Sequence, residues 1–330
     1  MKKFIYPLII IVIIFIFFAY KFYSDGVHFV MNPDSSDRVV VTVQQGATAN
    51  DVAQDLYDAG LIKSVSVFNF YLKQHNLADQ IKAGRIVLQE NYSLSEVVDA
   101  LIEGKTTEMP VTLLEGWTAT QIAEYLEEYG YTTVDEFMEC VETCEFEGDY
   151  LPDGYLEGYL YPDTYFVDPA TYSDQRFIQR LISTFEAKLD NSIWIPLEKE
   201  NRTLEEVVIM ASIIEREERD PEERPTVSGI LWNRYDANAG LGADATVLYA
   251  LGRTSGGLSY EDLQVDSPYN TRKYAGLPPT PICNPSISSI QAAADPALTN
   301  YWYYLHDSNG EVHYATTLDE HNTNKANYLY

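Results

Sequence analysis

The sequence predicts an α+β protein built in series: an N-terminal apolar helix, a small α/β module, and a larger mixed α/β domain with a mainly helical core. Three observations predict this. An unbroken apolar run extends from Phe4 to Tyr20. A strand–glycine–helix unit occurs twice, at an offset of 70 residues. Residues 207–218, VVIMASIIEREE, read as an apolar helix that ends in a burst of carboxylates. The 330 residues are enough for two or three domains and a substantial core.

The apolar run follows Met1-Lys2-Lys3. Its 17 residues make a helix about 26 Å long, near the lower limit for a membrane span. Phe22 and Tyr23 can extend it while Lys21 snorkels. It closes on Phe17-Phe18-Ala19-Tyr20-Lys21-Phe22-Tyr23, without the small-x-small site of a cleaved signal peptide. The expectation is a transmembrane signal anchor over residues 1–23, set in the lipid bilayer through residues 4–23. A single-pass chain of this kind keeps Lys2 and Lys3 in the cytoplasm and everything after Tyr23 outside. Residues 24–38, with Asn32-Pro33-Asp34-Ser35-Ser36-Asp37, read as a polar linker.

Of the 22 basic residues, Lys2, Lys3 and Lys21 precede the first acid, which leaves 19 basic against 50 acidic residues, a net −31. From Thr106 to Gln175 there are 17 acids and no Lys or Arg. Such a chain does not bind nucleic acid by neutralising phosphates. The acidic run reads as a solvated surface, without EF-hand spacing. No zinc spacing occurs, and the five His form no HExxH pair, so no metal or other cofactor is expected. Three cysteines do not make a disulfide framework. Cys140 and Cys144 can pair only if the backbone there departs from a regular helix.

Val39–Val43 reads as a strand, Gly46 as a turn, and Asn50-Asp51 as the opening of an amphipathic helix that ends near Gly60. VTVQQGATANDVAQDLYDAGL (41–61) aligns without gaps to VTLLEGWTATQIAEYLEEYGY (111–131). Val41/Val111, Thr42/Thr112, Gly46/Gly116, Thr48/Thr118, Ala53/Ala123, Leu56/Leu126 and Gly60/Gly130 are identical. The unit resembles a LysM-like module, which implies glycan binding; a plain structural module fits the same pattern. Between the copies, 65–74 and 95–102 read as helices and 83–88 as a strand. After the second copy, 134–141 reads as a helix. The loop YLPDGYLEGYLYPDTYFV (150–167) carries five Tyr. Tyr rings stack on sugars when exposed, and pack a loop when buried. Helices follow over 174–188, 204–217 and 222–233. Residues 240–300 are loop-rich, with a short helix over 286–294. Residues 301–316 alternate as a hairpin around Asn309-Gly310.

In 207–218 the helical wheel places Val207, Met210, Ala211 and Ile214 on one face, with Glu215 at its edge. A carboxylate half inside an apolar face has its charged form penalised, which suits a general acid. A helix whose last turn merely becomes polar is the plainer reading. Glu218 lies nearer the centre of the nominal apolar face, so the wheel alone selects it.

Six ordered strings carry a resemblance: VTLLEGWTATQIA (111–123), GYLEGYLYPDTY (154–165), ASIIEREE (211–218), ERPTVSGILWNRY (223–235), SPYNTRKYAGLPPTPICNPS (267–286) and HYATTLDEHN (313–322). The chain resembles the endolytic murein transglycosylase (MltG, YceG-like) family. The resemblance implies a membrane-anchored lyase of a bacterium that cuts peptidoglycan glycan strands without water. It leaves 1,6-anhydro-N-acetylmuramic acid ends, terminates strand elongation and works beside peptidoglycan synthases. It further implies a LysM-like module over 39–108 and a catalytic domain over 109–330, beginning with the second repeat and built around the catalytic Glu. Motif register makes that residue Glu215, with Glu217 and Glu218 as assisting candidates. One carboxylate is enough, because after protonating the leaving oxygen it can take the proton of the sugar's own C6 hydroxyl. Asn233 and Arg234 match the family's Asn-Arg pair, to hold an N-acetyl group or to structure the cleft by pairing with acids such as Asp244. Asp244 and Thr246 match its Asp-Pro-Thr-Val, with Ala245 in place of Pro and Gly242 where Gln is usual. Tyr269, Asn270, Thr271, Glu115, Tyr159, Tyr165, Glu320, His321 and Asn322 complete the substrate-binding candidates. Thr280 and Ser286 replace family glycines. A peptidoglycan hydrolase (muramidase or glucosaminidase) and a non-catalytic glycan-binding scaffold of the wall are the alternatives.

Overall fold

The computed structural model describes residues 2–44, 46–104, 108–169 and 171–329. The chain is α+β, with thirteen α-helices and three two-stranded sheets among the described residues. It divides into two compact units, Met1–Val111 with Phe166–Tyr172, and Thr112–Tyr165 with Ser173–Tyr330.

The first unit begins with helix α1 (Lys2–Val27). Among the described residues no helix is long and apolar enough to cross a membrane. This corrects the expected transmembrane anchor over 1–23, its bilayer partner and the single-pass localisation drawn from it. The apolar run was at the lower limit of length. Met1 and the first side chains of that run lie outside the described residues. The helix carrying the run continues through Lys21, Ser24 and Asp25, where Tyr23 Oη donates to Gln74 at 3.0 Å and Gly26 lies against Val67.

Strand β1 (Arg38–Val43), α2 (Ala49–Asp58), α3 (Val65–His75), β2 (Gly84–Gln89) and α4 (Leu94–Glu103) follow. β1 and β2 pair antiparallel with Val41 opposite Ile86. Alternation buries Val41, Val43, Ile86 and Leu88 against Val52, Leu56, Phe68 and Leu101. Gln45 of the first repeat lies outside the described residues. The second copy supplies β3 (Met109–Thr112), α5 (Ala119–Glu128) and α6 (Val134–Thr143), and β3 pairs with β4 (Thr164–Val167). Both copies thus follow a β–α–α–β order, and Thr48 and Thr118 each close a capping box. The LysM-like identity gains no support beyond this order, which a plain structural module shares.

Cys144 is the C-cap of α6, with φ −72° and ψ 148°. That departure from helical geometry brings its Cα within 4.8 Å of that of Cys140, and the two form a disulfide.

The rest of the second unit runs α7 (Asp174–Lys188), α8 (Asn191–Glu200), α9 (Leu204–Glu217), α10 (Arg224–Asp236), α11 (Asp244–Ala250), α12 (Ile287–Ala294), β5 (Tyr303–His306), β6 (Val312–Ala315) and α13 (Leu318–Tyr328). All eight residues from Val207 to Ile214 are buried, so α9 is the central helix and has no single apolar face. α12, α10 and α11 pack on it. β5 and β6 form the expected hairpin, and α13 packs on both.

The loop region is held by one amide. Asn284 is 1% exposed. Its Oδ1 accepts from Gly158 N and Leu160 N, both at 2.9 Å. Its Nδ2 donates to Trp117 O at 3.0 Å and to Glu157 Oε1 at 2.9 Å. The second-repeat turn, the tyrosine loop and the segment before α12 therefore share one side chain whose four bonds are all made. Gly158 sits at φ +92°, and a Cβ there would lie 2.5 Å from Pro281, so only glycine closes this junction. Glu157 also accepts from Ala119 N at 3.0 Å. Burial raises its pKa from 4.5 to about 8, against the pull of these donors.

Two outcomes are expected. Asn284→Ala strands buried N–H groups and lowers the free energy of unfolding by on the order of 3 kcal/mol in urea titration. A raised carboxyl pKa contributes stability that is full below 4.5 and lost as the pH rises toward about 8. The Tm of the wild type therefore falls more steeply than that of Glu157→Gln between about pH 5 and pH 8; parallel slopes would show that Glu157 does not titrate in this window.

Candidate active site

The site forms where α9 ends. Thr203 and Glu206 close a capping box at its start, and burial from Val207 to Ile214 leaves charge only to its two ends. Three consecutive environments result for three neighbouring acids.

Glu215 is 6% exposed in its side chain and paired with Arg224, which is equally buried. Arg224 Nη2 donates to Oε1 at 3.0 Å. Ser286 donates to Oε2 from its backbone N at 2.9 Å and from its hydroxyl. Arg224 Nη1 also reaches Ser286 Oγ at 2.7 Å and Ser288 Oγ, and its Nε reaches Glu218 O at 3.1 Å. Ser286 is at the same time the N-cap of α12, accepting from Ser289 N. Its φ of −69° is ordinary backbone, so a side chain in place of the family's glycine costs no strain. Gly116 lies over this carboxylate, and a Cβ there would meet Glu215 Cγ at 3.5 Å. Exposed Glu115 is next to it; partial burial of its carboxyl and the charge of Glu215 push its pKa up.

Glu217 occupies a different place. Its carboxylate lines a cavity of about 610 Å³ with Arg234, Asp244, Arg272, Tyr304 and His321. It also lines a second cavity of about 580 Å³ with Arg216, Arg219 and the hairpin tip at Asn309. Glu217 and His306 belong to both linings. Tyr304 Oη donates to Glu217 at 3.0 Å. Burial pushes the Glu217 pKa up despite that bond.

Glu218 is the C-cap of α9 and 3% exposed. At φ −128° and ψ 121° it has left the helix, so its position on a helical wheel has no meaning. Burial alone would raise its pKa, but the His306 hydrogen bond at 2.8 Å and the Asp220 N–H hold it down. His306 in turn is raised by that bond. The pair fixes the hairpin against the end of α9.

The other expected residues separate into two groups. Arg234, Asp244 and His321 line the larger cavity. Arg234 gives its donors to Trp302 O and Leu241 O, whereas Asp244 is paired with Arg272. Gly242 has φ +69°, and a Cβ there would meet Arg234 Nη1 at 3.6 Å; the positive φ, more than the space, would strain a longer side chain. The remainder lie outside the linings of both cavities. Tyr159 and Tyr165 are buried at 1% and 2% exposure, which corrects their expected role as sugar platforms. Asn270 is buried, and its amide is spent on Leu263 O, Val265 O and Arg272 N. Thr246 and Thr271 bond each other at 2.9 Å, both buried. Half-buried Tyr269 bonds Thr280, which replaces a family glycine. Asn233 donates to Thr299 O, away from the main cavity. Glu320 closes the capping box of α13 with Thr317, and Asn322 is exposed. Arg224, Ser286, Asn284, Arg272, Tyr304, His306 and Lys325 do not stand out as site residues in the sequence. The Asn-Pro-Ser run before α12 is the visible sign of a cap there.

The chain matches the model of the YceG-like family over residues 41–327. It is 33% identical over 315 residues to the endolytic murein transglycosylase of Bacillus subtilis (strain 168), covering 90% of this chain and 86% of that protein. It is 28% identical over 349 residues to the endolytic murein transglycosylase of Streptococcus pneumoniae serotype 2, covering 95% of this chain and 62% of that longer protein. A 2.6 Å crystal structure of the yceG-like protein lmo1499 from Listeria monocytogenes superposes with a TM-score of 0.60 at 31% identity, covering 88% of this chain and 99% of that one.

The His306–Glu218 pair makes a pH-dependent prediction. A histidine raised above 6.5 contributes stability that is full below that value and fades as the pH rises through its folded pKa. The Tm advantage of wild type over His306→Gln is therefore larger at about pH 6 than at about pH 9. Equal advantages at both would mean that the pair does not titrate.

Proposed function

The chain belongs to the YceG-like family, and we propose that Glu215 is the residue through which it cleaves peptidoglycan. The enzyme is a lytic transglycosylase, a lyase acting on glycan strands. The observation that carries the reading is the end of α9, where Glu215 is held by Arg224 and Ser286 and its neighbour Glu217 lines two cavities. Two cavities that share Glu217 and His306 in their walls suit a polymer that runs past these acids. On this reading residues 109–330 form the catalytic domain and 39–108 a separate module, and the enzyme acts where synthases extend strands.

In the proposed reaction Glu215, protonated, gives its proton to the glycosidic oxygen as the bond to the anomeric carbon breaks. The C6 hydroxyl of the same sugar then attacks that carbon, and the Glu215 carboxylate takes its proton. No water is consumed, and the acid is regenerated. Arg224 and Ser286 stabilise the carboxylate between the two proton transfers, the form that must act as base. Glu217 assists from the cavity wall.

A second reading exchanges the two acids. It is favoured by Glu217 lining both cavities with a raised pKa, whereas the oxygens of Glu215 are already engaged. Mass spectrometry of products from uncrosslinked strands separates the two. Wild type yields ends one water lighter than reducing ends, and Glu215→Gln slows cleavage by roughly a thousandfold, against ten- to a hundredfold for Glu217→Gln. The reverse ranking would transfer the acid–base role to Glu217. Full-mass reducing ends would indicate a hydrolase, and undiminished cleavage by both variants would remove the assignment.

A further inference from the structure

The chain carries a net charge of −28, yet the larger cavity gathers cations. Arg234, Arg272 and Lys325 line it, together with the His321 imidazole, whose pKa burial and the charges of Lys325 and Arg234 push down, against Glu217 and Asp244. These charges are not equally spent. Arg272 and Asp244 neutralise each other at 2.5 Å. The buried carboxyl of Glu217 is bonded by Tyr304 and pushed toward its neutral form.

Arg234 has no carboxylate partner among the described residues. Its Nε and Nη2 donate to Trp302 O and its Nη1 to Leu241 O, all neutral carbonyls. The guanidinium is thus immobilised without being neutralised, and two of its five N–H groups remain. It lies 5.4 Å from the centre of the Tyr303 ring. His321 stacks on the same ring at 5.1 Å, and its Nδ1 is buried without a hydrogen-bond partner. Lys325, one turn further along α13, forms no ion pair among the described residues. An uncompensated, rigidly held cation and an orphaned ring nitrogen are costly unless a ligand completes them.

We propose that this cavity is a subsite for a carboxylate carried by the glycan strand. The inference rests on the peptidoglycan reading and names what that site recognises. Two parts of the polymer offer the same chemistry: the lactyl carboxylate of a muramoyl residue without its peptide, and the carboxylates of a stem peptide. In a chain whose overall field repels anions, a local cluster of this kind accepts one only where it is correctly placed, and so sets the register of the strand beside Glu217.

The test uses the full chain and three uncrosslinked substrates: strands with free stem-peptide carboxylates, the same strands converted to carboxamides, and strands stripped to lactyl carboxylates. Wild type should show a KM about fivefold lower on at least one carboxylate-bearing substrate than on the carboxamide form. The preferred substrate identifies the source. Lys325→Gln should remove that preference by raising KM with little change in kcat, Lys325→Arg should restore it, and roughly 0.5 M salt should shrink it. Calorimetric binding of the same strands to Glu215→Gln protein should give the same ranking without turnover. Equal KM and equal binding for carboxylate and carboxamide strands would overturn the proposal while leaving cleavage intact. So would an equal loss on both in Lys325→Gln. Failure to cleave any strand would instead count against the parent reading, and the binding ranking would still decide this one.

Discussion

The saturated amide of Asn284 is the constraint on which the site depends. Its carbonyl and amino groups hold the second-repeat turn, the tyrosine loop and the segment leading into α12 in one place. Two residues later Ser286 caps α12 and bonds Glu215. These segments are loops rather than strands, so the geometry around Glu215 is inherited from hydrogen bonds that a single buried side chain makes. Ser212, in the middle of α9, adds a parallel tie by accepting from Ile282 N at 3.0 Å.

The second constraint is the complete burial of α9. A helix surrounded on all sides can carry charge only at its ends, and the three acids at its C-terminus then diverge because their neighbours differ. Arg224 and Ser286 enclose Glu215, two cavities reach Glu217, and His306 fastens Glu218 outside the helix. Side chains that are adjacent in sequence have become chemically distinct through packing alone.

Much of this was legible in the sequence. The strand–turn–helix repeat, the helices over 174–188 and 204–217, and the hairpin about Asn309-Gly310 follow from periodicity and turn residues. Three helices did not. Pro196 interrupts the pattern of α8, α11 has only seven residues, and α13 buries none of its side chains. The capping box Thr317–Glu320 was in plain view, but a family motif drew Glu320 into the set of substrate-binding candidates. Burial was the larger source of error: a tyrosine on a loop and a tyrosine in a core look alike in sequence, and Tyr159 and Tyr165 are in the core. The choice among Glu215, Glu217 and Glu218 could not be made by a helical wheel, since α9 has no outer face and Glu218 is not helical. The cations of the cavity come from α10, the loop after α11, and α13, and no local pattern announces that they converge.

One oxygen joins the chemistry of the site to its framework. The Ser286 hydroxyl touches Glu215, Arg224, Ser288 and the first turn of α12, yet it has one proton to give. While Glu215 is ionised that proton points at the carboxylate. Once Glu215 carries a proton on the facing oxygen, the hydroxyl becomes the acceptor and its own proton must turn toward Ser288. In the proposed reaction the state of the acid would thereby be written into the orientation of a helix cap, and each proton transfer would reverse a small chain of hydroxyl dipoles. A glycine at this position would leave the acid to change state unregistered by the helix beside it.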